Sequence, residues 1–354
     1  MTQFLGIGIG AGLVSALLFG VLLKGTLLSI VLYLLAPLPI LIVGLGWSHK
    51  AALVAAITGA IALSFLQPFL GLGFLAYLAL PAWWLAYLAL LGRPNADGTM
   101  EWYPTGRLLA WTAGTAGLAF VAIAVIASPN FETFQTQLRG MTRTLVTMQG
   151  KTRATPPAAA PAGTPSTTGN PSTSESPTPT ESPATQAESD TKTAPSAEPG
   201  TDQQNAVADA LATIAPGLAT QGLAVLLTFY LWAAGRIVRI SGRLPRPWPD
   251  IPSTAMPRSV LGILGAAFVL ALVPGYPGVL GVCLIGALTA AFAMQGLAAF
   301  HDRSRGRPGR MALLFGLYLI LFFTQGVALF ALTLFGLADT AFNRRRPKED
   351  AGRT

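Results

Sequence analysis

Stretches of about twenty apolar residues, almost free of charge, follow one another along most of this chain. A helix needs about 20 predominantly apolar residues to cross the hydrocarbon core of a bilayer. Phe4 to Leu23 is the first such stretch, and a second reaches Gly46 after only Lys24 and Gly25. With 52% hydrophobic and 11% charged residues, the composition lies outside the range of soluble domains. The chain is therefore predicted to be an all-α, polytopic integral membrane bundle.

Ten apolar segments emerge, and because several are short the sequence predicts about 8–10 transmembrane helices. The first lacks a basic leading region, so it is predicted to be a retained membrane helix, not a signal peptide. Residues 311–341 fit either one long helix or a hairpin, and a single helix would measure about 45 Å, which favours the hairpin. The segments are residues 4–23, 26–46, 51–70, 72–91, 107–127, 217–235, 259–273, 278–299, 311–324 and 327–341.

Most of the 23 Lys and Arg residues lie in every second loop between these segments or in the C-terminal tail. Short loops rich in Lys and Arg stay on the cytoplasmic side of a membrane. This alternation predicts that the N-terminus and the C-terminus are both cytoplasmic. The net charge of +8 is thus assigned to membrane topology, and no nucleic-acid partner is expected.

The long loop between the fifth and sixth segments has two parts. Six apolar residues recur there at spacings of three and four, which is typical of an amphipathic helix: Phe131, Phe134, Leu138, Met141, Leu145 and Met148. Such a helix is expected to lie on the outer bilayer surface or to contact a partner. The part that follows is rich in Pro, Ser and Thr and has few bulky apolar side chains, so it is predicted to be disordered.

These features predict five regions along the chain. They are an N-terminal membrane bundle at 1–127, an extracytoplasmic amphipathic helix at 128–149, a disordered linker at 150–203, a C-terminal membrane bundle at 204–343 and a basic cytoplasmic tail at 344–354.

Residues that carry catalytic or cofactor chemistry are scarce. Two histidines and the single Cys283 provide no cluster with metal-ligand spacing. The glycines from Gly6 to Gly12 lack the preceding strand and the βαβ context of a nucleotide-binding loop. No glycine-rich loop ends in Lys-Ser or Lys-Thr, and no nucleophile has a recognisable base partner. The sequence therefore predicts a non-enzymatic protein without a cofactor or a metal ion.

A stripe of small residues, formed by Gly8, Gly12, Ala16 and Gly20, runs along the first helix at intervals of four. In a bilayer such a stripe lets another helix approach closely. Packing within the bundle and docking of another membrane protein are both consistent with it.

Polar residues inside the membrane segments are few. Gln67, Gln295 and Gln325 are candidates to line a polar cavity, although hydrogen bonds between helices would explain them as well. Asp339 is predicted to form an ion pair with Arg344 at the end of the last helix, and a proton relay is the other interpretation.

Two motifs carry a resemblance to a known family: the loop Arg243-Leu-Pro-Arg-Pro-Trp-Pro-Asp-Ile-Pro252 and the ending Gly336-Leu-Ala-Asp339-Thr-Ala-Phe342-Asn-Arg344-Arg345-Arg346. In them the chain resembles the YybS-like family of uncharacterised bacterial inner-membrane proteins, from which the Pro/Ser/Thr-rich insertion departs. That family is distantly similar to the S-components of energy-coupling-factor importers and to the rod-shape protein MreD. The first similarity implies a small-solute-binding transport component, and the second implies a scaffold for cell-envelope assembly. The expected partners are the lipid bilayer and another membrane protein, with a small-molecule ligand of unknown identity.

Overall fold

Helices make up most of the structure, a computed structural model that describes residues 2–154, 199–324 and 326–342. Within these ranges one antiparallel hairpin is present, of strands β1 (Gly92–Pro94) and β2 (Met100–Trp102). The helices are α1 (Thr2–Gly20), α2 (Leu27–Leu35), α3 (Leu38–Gly46), α4 (His49–Leu66), α5 (Pro68–Phe74), α6 (Leu80–Ala89), α7 (Thr105–Ala127), α8 (Phe131–Ala154), α9 (Pro199–Ile240), α10 (Ser259–Ala271), α11 (Tyr276–Arg303), α12 (Arg310–Thr324) and α13 (Gly326–Phe342).

Seven helical stretches within the described ranges are long and apolar enough to cross a membrane, by length and composition. The helices α10, α12 and α13 are shorter and apolar. Each of the ten predicted segments overlaps one of these stretches or helices, so the prediction of an all-α, multi-pass membrane protein is confirmed. The seven long stretches are Gln3–Lys24, Leu27–Gly46, His49–Leu66, Pro68–Ala89, Thr105–Ala127, Asn205–Ile240 and Tyr276–Arg303.

The boundary between the third and fourth segments differs from its predicted position at residue 71. The chain breaks at Gln67, whose backbone is extended with φ −159° and ψ 125°. Pro68 follows directly, and a proline disfavours helical geometry in the residue before it. Pro68 then occupies the start of α5, where a missing N–H costs nothing.

The sixth segment is longer than predicted. Its helix, α9, continues through Pro216, the residue directly before the predicted start. Side-chain and backbone contacts to α11 hold the helix together at this point. The Thr220 hydroxyl donates a hydrogen bond to the Cys283 carbonyl at 2.8 Å. The backbone of Gly217 also lies so close to Gly286 that a Cβ on Gly286 would overlap it.

The direction of α13 supports a hairpin over residues 311–341. Contacts between α11 and α13 keep a constant offset of 44 residues: Thr333 bonds the Thr289 carbonyl, and Gln295 bonds Asp339. A constant offset means that the two helices run parallel. For α11 and α13 to run parallel, the chain must cross back in the opposite direction after α11. The helix α12, which lies between α11 and α13 in sequence, makes this return.

The basic loops meet at one end of the bundle, which we call the basic side. There the Arg243 guanidinium lies 4.5 Å from the centre of the Trp47 ring. Thr254 contacts Thr105 at 3.3 Å, and a bidentate ion pair joins Arg305 to Asp250. These contacts connect loops that are far apart in sequence, as alternate membrane crossings require.

The chain divides into two compact units at residues different from the predicted region boundaries. The described residues before 138 and after 211 form one unit, so helices from both predicted bundles pack together; Gly117 on α7, for example, lies against Leu284 on α11. The second unit contains the described residues 138–154 and 199–211, with an ion pair of 3.7 Å between Arg139 and Asp209. Residues 155–198, most of the predicted disordered linker, lie outside the described residues.

The outer surface of the first unit is strongly apolar. Large side chains such as Phe65, Leu27 and Leu272 are about 85% exposed. Contiguous apolar surface of this kind is rare on soluble monomers but is expected for helices in contact with lipid. Buried positions are instead often small, such as Ala52, Ala86 and Ala287, which lets neighbouring backbones approach closely.

Candidate functional site

A cavity of about 610 Å³ lies on the basic side of the bundle. Its walls come from the ends of α3, α6 and α11, the start of α7, the second half of α9, the loop after α9 and Tyr318 of α12. This size falls within the range of about 300–1,000 Å³ that is usual for small-molecule sites. The cavity is therefore the candidate functional site.

The wall of the cavity is mainly apolar, with side chains such as Leu108, Phe229 and Met294. Its threonines largely bond one another or the backbone: Thr112 and Thr228 lie 3.3 Å apart, and each donates to a carbonyl of its own helix. Three further side chains, Arg246, His301 and Tyr318, bring nitrogen and oxygen atoms to the wall.

Among the described residues that line the cavity, Arg246 is the one charged side chain. Its Nη1 donates a hydrogen bond of 3.0 Å to the carbonyl of Ala89, the last residue of α6. A cation is favourable there because the carbonyl end of a helix carries partial negative charge. Burial lowers the pKa of the Arg246 guanidinium, but an arginine keeps its proton in proteins. Within the described ranges no carboxylate forms an ion pair with Arg246.

His301 and Tyr318 form a hydrogen-bonded pair in the cavity wall. His301 Nδ1 lies 2.9 Å from the Leu297 carbonyl, which can only accept, so Nδ1 is the nitrogen that donates. In the neutral ring Nε2 then accepts the hydroxyl hydrogen of Tyr318, at 3.2 Å. This arrangement fixes the orientation of both rings at the cavity wall.

The loop that follows α9 covers the cavity, contributing Leu244, Arg246 and Trp248 to its wall. Trp248 lies under the guanidinium groups of Arg236 and Arg239, at 5.7 and 5.2 Å from its ring centre. Such cation–π contacts hold the ring against α9. The loop thus packs along the bundle.

Two further contacts fasten this loop. The Met256 N–H donates to Gln295 Oε1 at 3.0 Å. Asp250 receives two hydrogen bonds from Arg305, at 2.9 and 2.5 Å. Arg305 therefore holds the pKa of the Asp250 carboxyl below its usual value.

Replacing Arg305 with Gln is expected to loosen the loop. The folded pKa of Asp250 is depressed, so the ion pair is complete at neutral pH and is lost only as the pH falls through that depressed value. Without Arg305, hydrogen exchange of residues 243–258 at neutral pH should rise by about two- to fivefold. Arg93→Gln removes the comparable exposed pair with Glu101 in the β-hairpin and should leave this exchange unchanged. Equal exchange in wild type and Arg305→Gln would show that Trp248 and Gln295 suffice to hold the loop.

A buried polar network lies beside the cavity, between α11 and α13. Gln295 is fully buried and donates to Asp339 Oδ2 at 3.1 Å and to Thr340 Oγ1 at 2.8 Å. The other carboxylate oxygen of Asp339 pairs with Arg303 at 3.2 Å. The structure thus gives Asp339 an arginine partner on α11; the predicted partner, Arg344, lies outside the described residues.

The structure does not bring Gln67 and Gln295 together around a cavity. Gln67 is exposed at the break between α4 and α5, and Gln295 is occupied by the network. Neither lines the 610 Å³ cavity or a second cavity of about 490 Å³, whose wall includes Phe19, Tyr33 and Tyr77. Gln325 lies outside the described residues.

The small-residue stripe of α1 faces α4. A Cβ on Gly8 would lie 2.7 Å from the Ala51 carbonyl oxygen, and one on Gly12 would overlap the backbone of Ala55. Ala16 is buried, and Gly20 lies beside Leu63. The stripe is thus a packing surface within the chain, so a partner helix cannot occupy the same face.

The cavity was not predicted from the sequence. Its chemistry-bearing residues Arg246, His301 and Tyr318 come from a loop and two helices, with no shared spacing. One signal was available: the loop motif placed an arginine and a tryptophan between prolines. That signal alone does not say which helix ends the loop covers.

Comparison of the chain with known protein families, curated proteins and solved structures gives no significant match. The resemblance to the YybS-like family stays a prediction. Function is therefore argued from the cavity.

Proposed function

We propose that this chain is a non-enzymatic component of a bacterial inner membrane that binds one small molecule in the basic-side cavity. Both termini are placed in the cytoplasm by the positive-inside rule. The proposed role is similar to that of the solute-binding S-components of energy-coupling-factor importers. The observation that carries it is a cavity of ligand size whose wall holds a few oriented polar groups.

The position and the lining of the cavity narrow this proposal. An importer subunit for a polar solute would need a polar pocket open to the outer side. The 610 Å³ cavity is instead mainly apolar and is bordered by the basic loops. Its wall fits an apolar or amphiphilic molecule better than a sugar or an amino acid, since polar ligand groups left unpaired in an apolar pocket are costly.

Filling the cavity tests the proposal. Gly235 lines it, and a Cβ there would lie 3.7 Å from the Trp248 ring, an ordinary contact, so leucine should fit and occupy part of the ligand volume. We expect small molecules extracted from purified Gly235→Leu protein to lose a component that wild type carries at about one per chain, as measured by mass spectrometry. Gly222→Leu is the matched control on α9, because nothing lies within 4 Å of that position.

The same molecule at equal amounts in all three proteins would contradict the proposal. If the molecule is lost from both variants, the cause would be damage to α9. That result would not support the cavity as the binding site either.

A membrane scaffold is the second candidate function. The observation that favours it is the row of apolar side chains Met141, Leu145 and Met148 in the second unit, each more than half exposed. A scaffold does not need the cavity. The extraction experiment therefore separates the two functions, because only a binding component should lose a bound molecule in Gly235→Leu.

A further inference from the structure

Part of the cavity wall, on α9 and α12, is exposed. Lining residues on one side remain about half exposed: Phe229 at 52% and Trp232 at 46% on α9, and Tyr318 at 45% on α12. In the described part of α12 no residue is buried, so this helix stands at the edge of the bundle. Since these residues lie on apolar helices, a route from the bilayer into the cavity would run between α9 and α12.

The cavity extends along the membrane helices as well as toward the surface. On α9 its wall runs from Val225 to Gly235, which is about 15 Å of helix. Arg246 borders it where α6 ends, on the basic side. A molecule filling this space would place one end near the charged group and the other deeper among apolar side chains.

Arg246 has donors that its known contact does not use. Guanidinium has five N–H donors, and the hydrogen bond to Ala89 occupies Nη1. A cation in an apolar wall, without a carboxylate partner in the described parts of the chain, favours an anionic group on the ligand. The planar fork of arginine matches carboxylate and phosphate geometry, and of these two anions phosphate is the one common to membrane phospholipids.

We propose that the ligand is a phosphate-bearing lipid, which enters sideways between α9 and α12, places its phosphate on Arg246 and lays its aliphatic chains against the apolar wall. This proposal rests on the proposed binding function and names the class of its ligand. Trp232 and Tyr318 at the opening fit this route, because their rings carry both an apolar body and a polar edge.

The test uses the full-length protein in a neutral maltoside detergent and follows lipid binding by native mass spectrometry. Dioctanoyl phosphatidic acid is compared with dioctanoylglycerol, which has the same chains without the phosphate. We expect one phosphatidic acid per chain, bound about tenfold or more tightly than the neutral lipid. Arg246→Gln should remove this preference, and Arg246→Lys should retain part of it.

Arg307→Gln is the matched control, because Arg307 is an exposed arginine of the basic side that does not line the cavity. It should bind as wild type does. An equal loss in Arg307→Gln would overturn the proposal in favour of unspecific attraction to basic loops, and so would equal binding of both lipids by wild type. Inorganic phosphate should not displace the lipid; displacement would identify free phosphate as the ligand.

Gly235→Leu distinguishes a wrong ligand class from failure of the proposed binding function. If it abolishes binding of both lipids while wild type shows no phosphate preference, the cavity binds a ligand but the ligand class is wrong. If it leaves both affinities unchanged, the proposed binding function fails as well. Melting temperatures of all variants should stay near that of wild type. If Gly235→Leu melts early, Thr228→Leu, another substitution in the wall, replaces it.

Discussion

Replacing Asp339 with Ala should destabilise the membrane bundle by about 3 kcal/mol, one of the largest effects expected of a single polar side chain in this chain. The Asp339 side chain is 2% exposed and binds Arg303 and Gln295 with its two oxygens. Its removal leaves a partly buried guanidinium and a buried amide without these acceptors, and an unmet buried polar group costs more than a net hydrogen bond contributes. The melting temperature of detergent-solubilised protein should fall by several degrees.

Two variants control this experiment. Asp339→Asn keeps the shape and one acceptor oxygen, so we expect a smaller loss. Asp302→Ala removes a nearby carboxylate whose pair with Arg305, at 3.7 Å, is near the surface, and such pairs contribute little. If Asp302→Ala lowers the melting temperature as much as Asp339→Ala does, the general loss of negative charge on the basic side would explain both results.

The membrane segments were predictable because lipid leaves little choice of structure. A backbone that crosses hydrocarbon must satisfy its hydrogen bonds internally, so each apolar run becomes a helix. The boundary error at Gln67 arose where hydrophobicity continues through a proline. The local signal was present in Pro68, and the rule that the preceding residue avoids helical geometry would have placed the break correctly.

The partners of the polar residues were not predictable from spacing. Gln295 and Asp339 are 44 residues apart, and they meet because α11 and α13 run parallel with two glycines in contact. A Cβ on Gly296 or on Gly336 would overlap the backbone of the facing helix. The sequence showed an aspartate close to arginines in the tail, whereas the fold also brings Arg303 from the neighbouring helix.

The cavity was hidden for a related reason. Its wall contains many leucines and aromatic residues that look like lipid-facing positions in the sequence, such as Leu108 and Phe229. Whether such a side chain faces lipid, the interior or an empty space depends on which helices are neighbours. Hydrophobic pattern specifies that a helix crosses the membrane, but it does not specify those neighbours.

The small-residue stripe on α1 has a complementary stripe on α4, and together the two patterns indicate an internal helix contact. Ala51, Ala55 and Gly59 repeat at intervals of four on α4, and the structure packs them against Gly8 and Gly12. Two small-residue stripes in one chain favour an internal contact, because each supplies the close approach that the other needs. From the sequence alone, docking of another membrane protein on α1 was equally consistent, since a small-residue stripe on a partner helix would fit the same face.

Gly12→Leu is expected to prevent stable folding of the bundle, at a cost of at least about 3 kcal/mol. A Cβ at this position would overlap the Ala55 carbonyl oxygen and would lie 3.0 Å from the Thr58 Cβ, so the two helices must separate. Separation would also disturb Gly59, whose added Cβ position is 2.9 Å from the Gly12 carbonyl oxygen. The yield of monodisperse protein and its melting temperature should both fall strongly.

Gly10→Leu is the matched control, one half-turn away on the same helix. Nothing lies within 4 Å of a Cβ at Gly10, and the residue is exposed on the apolar outer face. Leucine should be neutral or slightly stabilising there, because glycine lowers the stability of a helix interior by about 0.5–1 kcal/mol relative to alanine. A Gly12→Leu protein that folds as well as Gly10→Leu would show that α1 does not pack on α4, and the stripe would again be available to a partner helix.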